Sequence, residues 1–303
     1  MNSIRRKRYL RWLWTGLVAG ALLYGIPALE RTTAPFDPVP PGGMAFYVFD
    51  VGQGDALLAQ AGTGQILVDG GPGNRILERL GAVMPPGDRT IELVVATHPD
   101  ADHLGGLVGV LERYTVERIL MTDVAKDTTL YRRWRAAVDS ERATVVIAEE
   151  GARERVGEMT LTVRHAGTEA TLAASRGPGS SDGVNDAGIV SVLSYGHTRF
   201  LLAADVTSAV EERLVAGGEL GADLLKVGHH GSAYSTGESF LAAVAPRAAV
   251  ISVGEGNTYG HPAWRVLQAL RRAGAAVFRT DRHGTVRVTT DGHSLHVDTE
   301  RVE

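Results

Sequence analysis

From Met44 onward the chain is a series of short apolar runs broken by glycine, proline and polar clusters, the pattern of a strand-rich α/β protein. The first half predicts strands at 45–51, 55–61 and 65–69, then a helix near 74–83 and a strand at 91–96. A helix near 104–114, a strand at 117–122, a helix around 128–139 and a strand at 144–148 complete it. The second half predicts strands at 160–164, 188–195 and 198–203, a helix at 208–216 and a strand at 223–227. A helix at 239–244, a strand at 248–253, a helix at 264–273, and strands at 277–280 and 285–290 follow, with a terminal strand after them. Strands open each half and helices separate the later ones. Two sheets sandwiched between outer helices is therefore the economical architecture. The segment 173–188, AASRGPGSSDGVNDAG, is small and polar and reads as a mobile loop.

Before residue 44 the pattern changes. Arg5, Arg6, Lys7, Arg8 and Arg11 precede 12–29, a stretch of 18 residues without a charge and close to the lower limit for a bilayer span. The basic flank predicts a cytoplasmic N-terminus and places the rest of the chain outside the membrane. A cleaved signal peptide has the same layout, although its only small-residue site (Ile26, Pro27, Ala28) is poor. A buried core helix is the third reading, and the clustered arginines count against it. The expectation is a single-pass anchor within 1–31, or secretion after cleavage. Residues 32–43, with four prolines and two glycines, read as a stiff linker to a domain over 44–303.

Charge and composition narrow the chemistry. Cysteine is absent, so disulfides, thiolate ligands and cysteine nucleophiles are excluded, and any metal must sit on His, Asp or Glu. Residues 12–303 carry 26 basic against 35 acidic residues, a net of −9. A non-specific nucleic-acid binder shows a basic excess, which this domain lacks. Arginine clusters (Arg132, Arg133, Arg135; Arg271, Arg272, Arg279, Arg282) read equally well as solvated helix faces.

The densest chemistry follows the apolar run 91–96. Thr97, His98, Pro99, Asp100, Ala101, Asp102 and His103 put two imidazoles and two carboxylates into six residues at a strand end, where α/β folds place their sites. Bringing these groups together favours a bound cation, and a divalent ion can activate water. Three more strands end in candidate ligands or their supporters: Asp69 before a Gly-Gly-Pro turn, Asp205 after 200–204, and the pair His229 and His230 after 224–227.

Segments FDVGQGD (49–55), LVDGGP (67–72), 97–106, 201–205, LKVGHHGS (225–232), NTYGHP (257–262) and Thr280-Asp281 occur in order across 44–290. In these the chain resembles the metallo-β-lactamase-fold hydrolases, specifically the hydrolase domain of the ComEC/Rec2 competence proteins. The resemblance implies an α/β fold, an αββα sandwich with a dinuclear site of two divalent ions along one edge. By it, His98 and Asp100 would hold one ion. Asp102, His103 and His230 would hold the other, with Asp205 bridging. Asp69 would support the ligand loop, and Asp55 and Gln53 would be structural or supporting. Asp102, His229 and His261 would be the catalytic positions, with His229 facing substrate or orienting the ligands and His261 touching substrate or protonating the leaving group. Asp100 replaces the superfamily's usual second histidine, and Asn185 stands where a further histidine is expected. Harder oxygen donors tilt the first ion from zinc toward manganese or magnesium, or toward partial occupancy. His165 could substitute for that further histidine, but its place at the end of an amphipathic strand reads as packing; His197, His283, His293 and His296 read as solvated.

The function expected is hydrolysis of a phosphodiester, single-stranded DNA among the candidates, outside the cytoplasmic membrane by water activated on the two ions. With one candidate span the chain would at most supply a detached hydrolase beside a separate membrane channel partner. Rivals within the same chemistry are envelope choline phosphodiesters, lactones and β-lactams. A rival of another class is a non-catalytic docking module beside a transporter.

Overall fold

The computed structural model describes Phe36, Val39 and residues 41–168 and 183–302. Strands β1 (Met44–Val48), β2 (Leu57–Ala61) and β3 (Gly64–Val68) form an antiparallel meander. Helix α1 (Arg75–Val83) leads to β4 (Thr90–Ala96), α2 (Ala101–Leu111) to β5 (Thr115–Met121), and α3 (Thr129–Ser140) to β6 (Thr144–Ile147). Each of these strands pairs parallel with its predecessor, which requires the crossover helices.

The second half repeats the plan. Strands β7 (Arg153–Val156), β8 (Met159–His165), β9 (Val190–Tyr195) and β10 (Thr198–Leu202) are antiparallel, with the short helix α4 (Gly183–Asp186) before β9. Helix α5 (Ser208–Gly217) leads to β11 (Leu224–Lys226), a 3-10 turn at Gly228–Gly231 and α6 (Glu238–Val244) to β12 (Ala248–Ile251), and α7 (Trp264–Arg272) to β13 (Ala276–Arg279). These are parallel again. After α8 (Thr280–His283), β14 (Val286–Thr290) and β15 (Leu295–Thr299) return to the first sheet beside β1. The sheet orders are β15-β14-β1-β2-β3-β4-β5-β6 and β13-β12-β11-β10-β9-β8-β7.

Alternation along the strands builds the layers. Tyr47 and Phe49 join a core with Leu104, Leu107 and Trp134 of α2 and α3. Leu201 and Leu225 join another with Val210, Phe240 and Val266 of α5, α6 and α7. The opposite faces meet: Phe46 of β1 packs edge-on against Phe200 of β10, ring centroids 5.2 Å apart. The result is an αββα sandwich. In each sheet the pairing changes from antiparallel to parallel, at β3/β4 and β10/β11. The loops leaving the carboxyl ends of those four strands are where ligands collect in such sheets.

Several elements differ from the sequence reading. Helix α2 begins at Ala101, so Asp102 and His103 lie in its first turn rather than in a loop before it. The strand β7 was not expected; its sequence RERV is charged and mostly exposed, which blunts a sheet edge and hides the apolar alternation of a strand. His283 was expected to be solvated and is buried: its Nδ1 accepts the Arg279 N–H at 2.9 Å, closing α8 on itself. The segment 173–188 is described only from Gly183, and that part holds α4, whose Asp186 accepts the Thr207 N–H at 2.9 Å. In the linker, Phe36 packs on Tyr47 at 5.8 Å with the Arg287 guanidinium over its ring. The expected anchor at 12–29 lies outside the described residues, and no helix among those described is long and apolar enough to cross a membrane.

Helix α2 is seated by glycine. Gly106 N–H donates to Gly71 O at 2.9 Å, and a Cβ at Gly106 would stand 2.1 Å from Gly70 O. In an open helix, Gly→Ala stabilises by about 1 kcal/mol. Here the sign reverses, and Gly106→Ala is expected to cost about 1–3 kcal/mol by overpacking. A fall of several degrees in Tm would show this; an unchanged or raised Tm would contradict the close approach.

Candidate metal centre

Three loops deliver the candidate ligands. His98 follows β4, Asp102 and His103 open α2, Asp205 follows β10, and His229 and His230 sit in the turn after β11. The backbone is bent to do this. Asp69, Ala204, His229 and His230 have φ of 58°, 48°, 49° and 52°, the left-handed region that side chains occupy at a cost of order 1–3 kcal/mol each. Strain of that kind, gathered in the ligand loops, marks a site held in place by its surroundings.

Each of three imidazoles is committed at Nδ1. His103 Nδ1–H donates to Asp69 Oδ2 at 2.7 Å. The Thr97 hydroxyl also donates to Asp69 Oδ2, at 2.7 Å, and is thereby left to accept His98 Nδ1–H at 3.0 Å. His230 Nδ1–H donates to the Ser252 carbonyl at 3.0 Å. The opposite nitrogens, Nε2 of His98, His103 and His230, are buried without a hydrogen-bond partner among the described residues, as is Asp205 Oδ1. This is how metal-ligating histidines are oriented by carboxylate and carbonyl partners behind them.

Asp102, His103, Asp205 and His230 offer four ligand atoms that lie within 4.8 Å of one another. Asp205 Oδ2 stands 3.2 Å from both His103 Nε2 and His230 Nε2, and His230 Nε2 stands 3.3 Å from Asp102 Oδ2. Tetrahedral donors bonded at about 2.0 Å to one zinc-sized ion would be separated by roughly 3.3 Å. These residues fit a divalent ion.

The electrostatics agree. Burial opposes charge on His103 and His230, yet Asp205, with Asp69 beside the first and Asp102 beside the second, holds both pKa values well above the usual imidazole range. Burial also works against the Asp205 carboxylate, and the two imidazoles more than offset it, leaving its pKa well below the ordinary range. Burial opposes Asp102 as well, but His230 and His103 bring it down to about 2. The pocket is built to hold positive charge, and a metal would take the place of protons there.

Behind the cluster lies a buried ion pair. Lys226 Nζ is 2.7 Å from Asp55 Oδ2, neither side chain more than 2% exposed, and Asp55 Oδ1 lies 3.4 Å from His230 Nδ1. Lys226 also donates to Val227 O at 2.9 Å. Asp55, otherwise penalised by burial, is held ionised chiefly by this lysine. The sequence reading left Lys226, Thr97 and Ser252 without a role; for Lys226 the signal was there, a lone charge inside the apolar run LLKV.

The remaining candidates are placed as follows. Asp100 is not among the four clustered donors; its Oδ1 accepts Lys126 Nζ at 2.7 Å. His98 lies beside the four, its ring centroid 4.1 Å from that of His103. Asn185, on α4, approaches His229 Nε2 at 3.4 Å rather than the four donors. His229 and His261 face each other edge-on at 5.8 Å, and burial, then the charges of His229 and His230, lower the His261 pKa. Asn257 clamps the His261 backbone with bonds of 3.1 Å and 2.8 Å. Gln53 is structural: its Oε1 accepts the Gly254 N–H at 3.1 Å, tying the β1–β2 loop to the loop after β12. His165 packs, its Nε2 2.8 Å from Asp186 O.

Residues 49–255 match the metallo-beta-lactamase superfamily, a span that contains every member of the four-donor cluster. The chain belongs to the metallo-beta-lactamase superfamily. Its relatives include ComE operon protein 3 of Bacillus subtilis (strain 168), 29% identical over 261 residues that cover 79% of this chain and 32% of that protein. Competence protein ComA of Neisseria gonorrhoeae is 29% identical over 260 residues, 82% of this chain and 33% of its own length. This chain thus spans about a third of each of these relatives. Among solved structures, the metallo-beta-lactamase fold protein YhfI from Bacillus subtilis superposes with a TM-score of 0.52 at 13% identity, covering 78% of this chain and 96% of that one. CmlA, a diiron beta-hydroxylase from Streptomyces venezuelae, gives 0.53 at 16%, covering 84% and 55%. At such identities the likeness shows the fold, and the fold alone carries more than one chemistry.

Two expectations follow from the residues behind the cluster. Asp69→Asn should weaken metal binding about 10–100-fold by releasing His103 Nδ1; titration against a chromogenic chelator reads this, and an unchanged affinity would remove Asp69 from the centre. Lys226→Met should destabilise the fold by about 3–5 kcal/mol, because it strands a buried carboxylate. Urea unfolding of Lys226→Met and of Lys226→Met with Asp55→Asn tests the cause, since the second change should recover much of the loss.

Proposed function

We propose that this chain is a metal-dependent phosphodiesterase acting on nucleic acid outside the cytoplasmic membrane, tethered by the apolar stretch 12–29. The observation that carries the reading is the convergence of Asp102, His103, Asp205 and His230 around unpartnered buried donors. The kinship with competence proteins supports the substrate class. Asp205 Oδ1 and His98 Nε2 are buried without a hydrogen-bond partner, which supports the reading that these two residues would hold a second ion. Divalent ions at such a site lower the pKa of a bound water and polarise a phosphoryl oxygen. Of the chain's own groups, His103 and His230 are fixed in orientation by Asp69 and Ser252, so the donors need not rearrange to bind. His229 and His261 line the approach and would hydrogen-bond the phosphoryl and leaving oxygens, His261 holding or passing a proton. Lys126 pairs with one oxygen of Asp100, so an ion beside His98 would draw on Asp100 only through its other oxygen.

A substrate panel on the full-length chain with Mn²⁺, Zn²⁺ and Mg²⁺ tests this. Cleavage of bis-p-nitrophenyl phosphate and of a single-stranded oligonucleotide is expected, abolished by EDTA and reduced about a hundredfold or more by Asp102→Ala or His103→Ala together with loss of bound metal. Opening of nitrocefin or a homoserine lactone without phosphodiester cleavage would transfer the site to a rival substrate. A folded protein that binds no divalent ion and cleaves nothing would make the fold a docking module.

A further inference from the structure

Six large apolar side chains are strongly exposed among the described residues, and the three aromatic ones are Tyr234, Tyr259 and Trp264, at 71%, 70% and 74%. They are not scattered. Tyr234 follows His230 by four positions, Tyr259 precedes His261 by two, and Trp264 follows His261 by three. The Tyr259 ring lies nearly parallel to that of His261, at 16° and 5.8 Å between centroids. His261 meets His229 edge-on at 5.8 Å, and His229 meets His230, a member of the donor cluster, at 6.4 Å. A file of rings therefore runs from the centre to solvent.

The other two aromatics are bound into the same rim. Arg265, next to Trp264 in α7, donates its Nε to Ala233 O at 2.6 Å and a second nitrogen to Thr236 O at 3.3 Å, and also bonds Ser235 O. Ala263 N–H donates to Gly231 O at 2.8 Å. The loop bearing Tyr234 and the start of the helix bearing Trp264 are thus one braced unit.

Large aromatic faces left in water beside a polar site call for a flat apolar partner. Charge helps to choose it. The chain beyond its basic N-terminus carries 26 basic against 35 acidic residues, so the domain as a whole gains no net attraction to a polyanion. Stacking of unpaired bases can supply affinity instead, and it requires no sequence. Resting on the phosphodiesterase reading above, we infer that Tyr234, Tyr259 and Trp264 form a stacking rim that grips unpaired nucleobases flanking the scissile phosphate. Single strands, not duplexes, are then the substrate, because duplex bases stack on one another.

Steady-state cleavage of a fluorogenic twelve-residue oligo(dT) by the full-length chain tests the rim. Each of Tyr259→Ala, Tyr234→Ala and Trp264→Ala should raise KM about tenfold, and the triple change about a hundredfold or more. Tyr259→Phe should restore the wild-type KM, because the ring face and not the hydroxyl does the gripping. The dependence of log(kcat/KM) on log salt should be shallower than about −1.5, equivalent to about two phosphates. Unchanged KM in the alanine variants, or equal cleavage of a duplex, would overturn the rim while leaving the phosphodiesterase reading in place. Wild-type protein that cleaves neither the oligonucleotide nor bis-p-nitrophenyl phosphate would remove both.

Discussion

Three buried imidazoles that spend Nδ1 on an oxygen and leave Nε2 bare are the constraint around which this molecule is organised. A buried polar atom without a partner costs about 1–3 kcal/mol; His98 Nε2 and Asp205 Oδ1 have none, and His103 Nε2 and His230 Nε2 have only carboxylate oxygens at 3.2–3.3 Å. Left-handed backbone at Asp69, Ala204, His229 and His230 adds to the cost. The fold tolerates this because a cation at the common point would satisfy the bare donors together. Asp69 is the pivot, since its carboxylate takes the Thr97 N–H, the Thr97 hydroxyl and His103 Nδ1–H, and so aligns two histidines at once.

The two halves of the chain are needed equally. Asp102 and His103 come from the β4–α2 junction, Asp205 from the end of β10 and His230 from the turn after β11. Each half supplies two of the four donors. The packing of sheet on sheet, seen where Phe46 meets Phe200, is therefore also what completes the ligand set. The ion pair of Lys226 with Asp55 links the halves again: Asp55 lies before β2 and Lys226 ends β11, and between them they back His230. Kinship with competence proteins covers about a third of their length, so this unit corresponds to one part of a longer chain in those relatives.

Much of the fold was legible because strands buried on both faces write continuous apolar runs: β4 and β10 are of this kind, and their ends carry His98 and Asp205. The start of α2 was misplaced because Asp102 and His103 look like a polar turn; only their partners behind the helix reveal them as its first turn. The edge strand β7 was hidden by its charges, and His283 by a hydrogen bond to its own turn. Pairings such as Asp100 with Lys126 leave no local trace, since the two lie 26 positions apart and meet only when α2 and the loop after β5 pack. The stacked ring of Tyr259 on His261 is of the same sort: its spacing is ordinary and its geometry is what gives it meaning.

The four donors are placed to share one cation. Anomalous diffraction at the zinc or manganese edge from crystals of the full-length chain grown with that ion tests it most directly. A peak within bonding distance of Asp102, His103, Asp205 and His230 is expected. Crystals that show no peak there, or one held by other side chains, would contradict it.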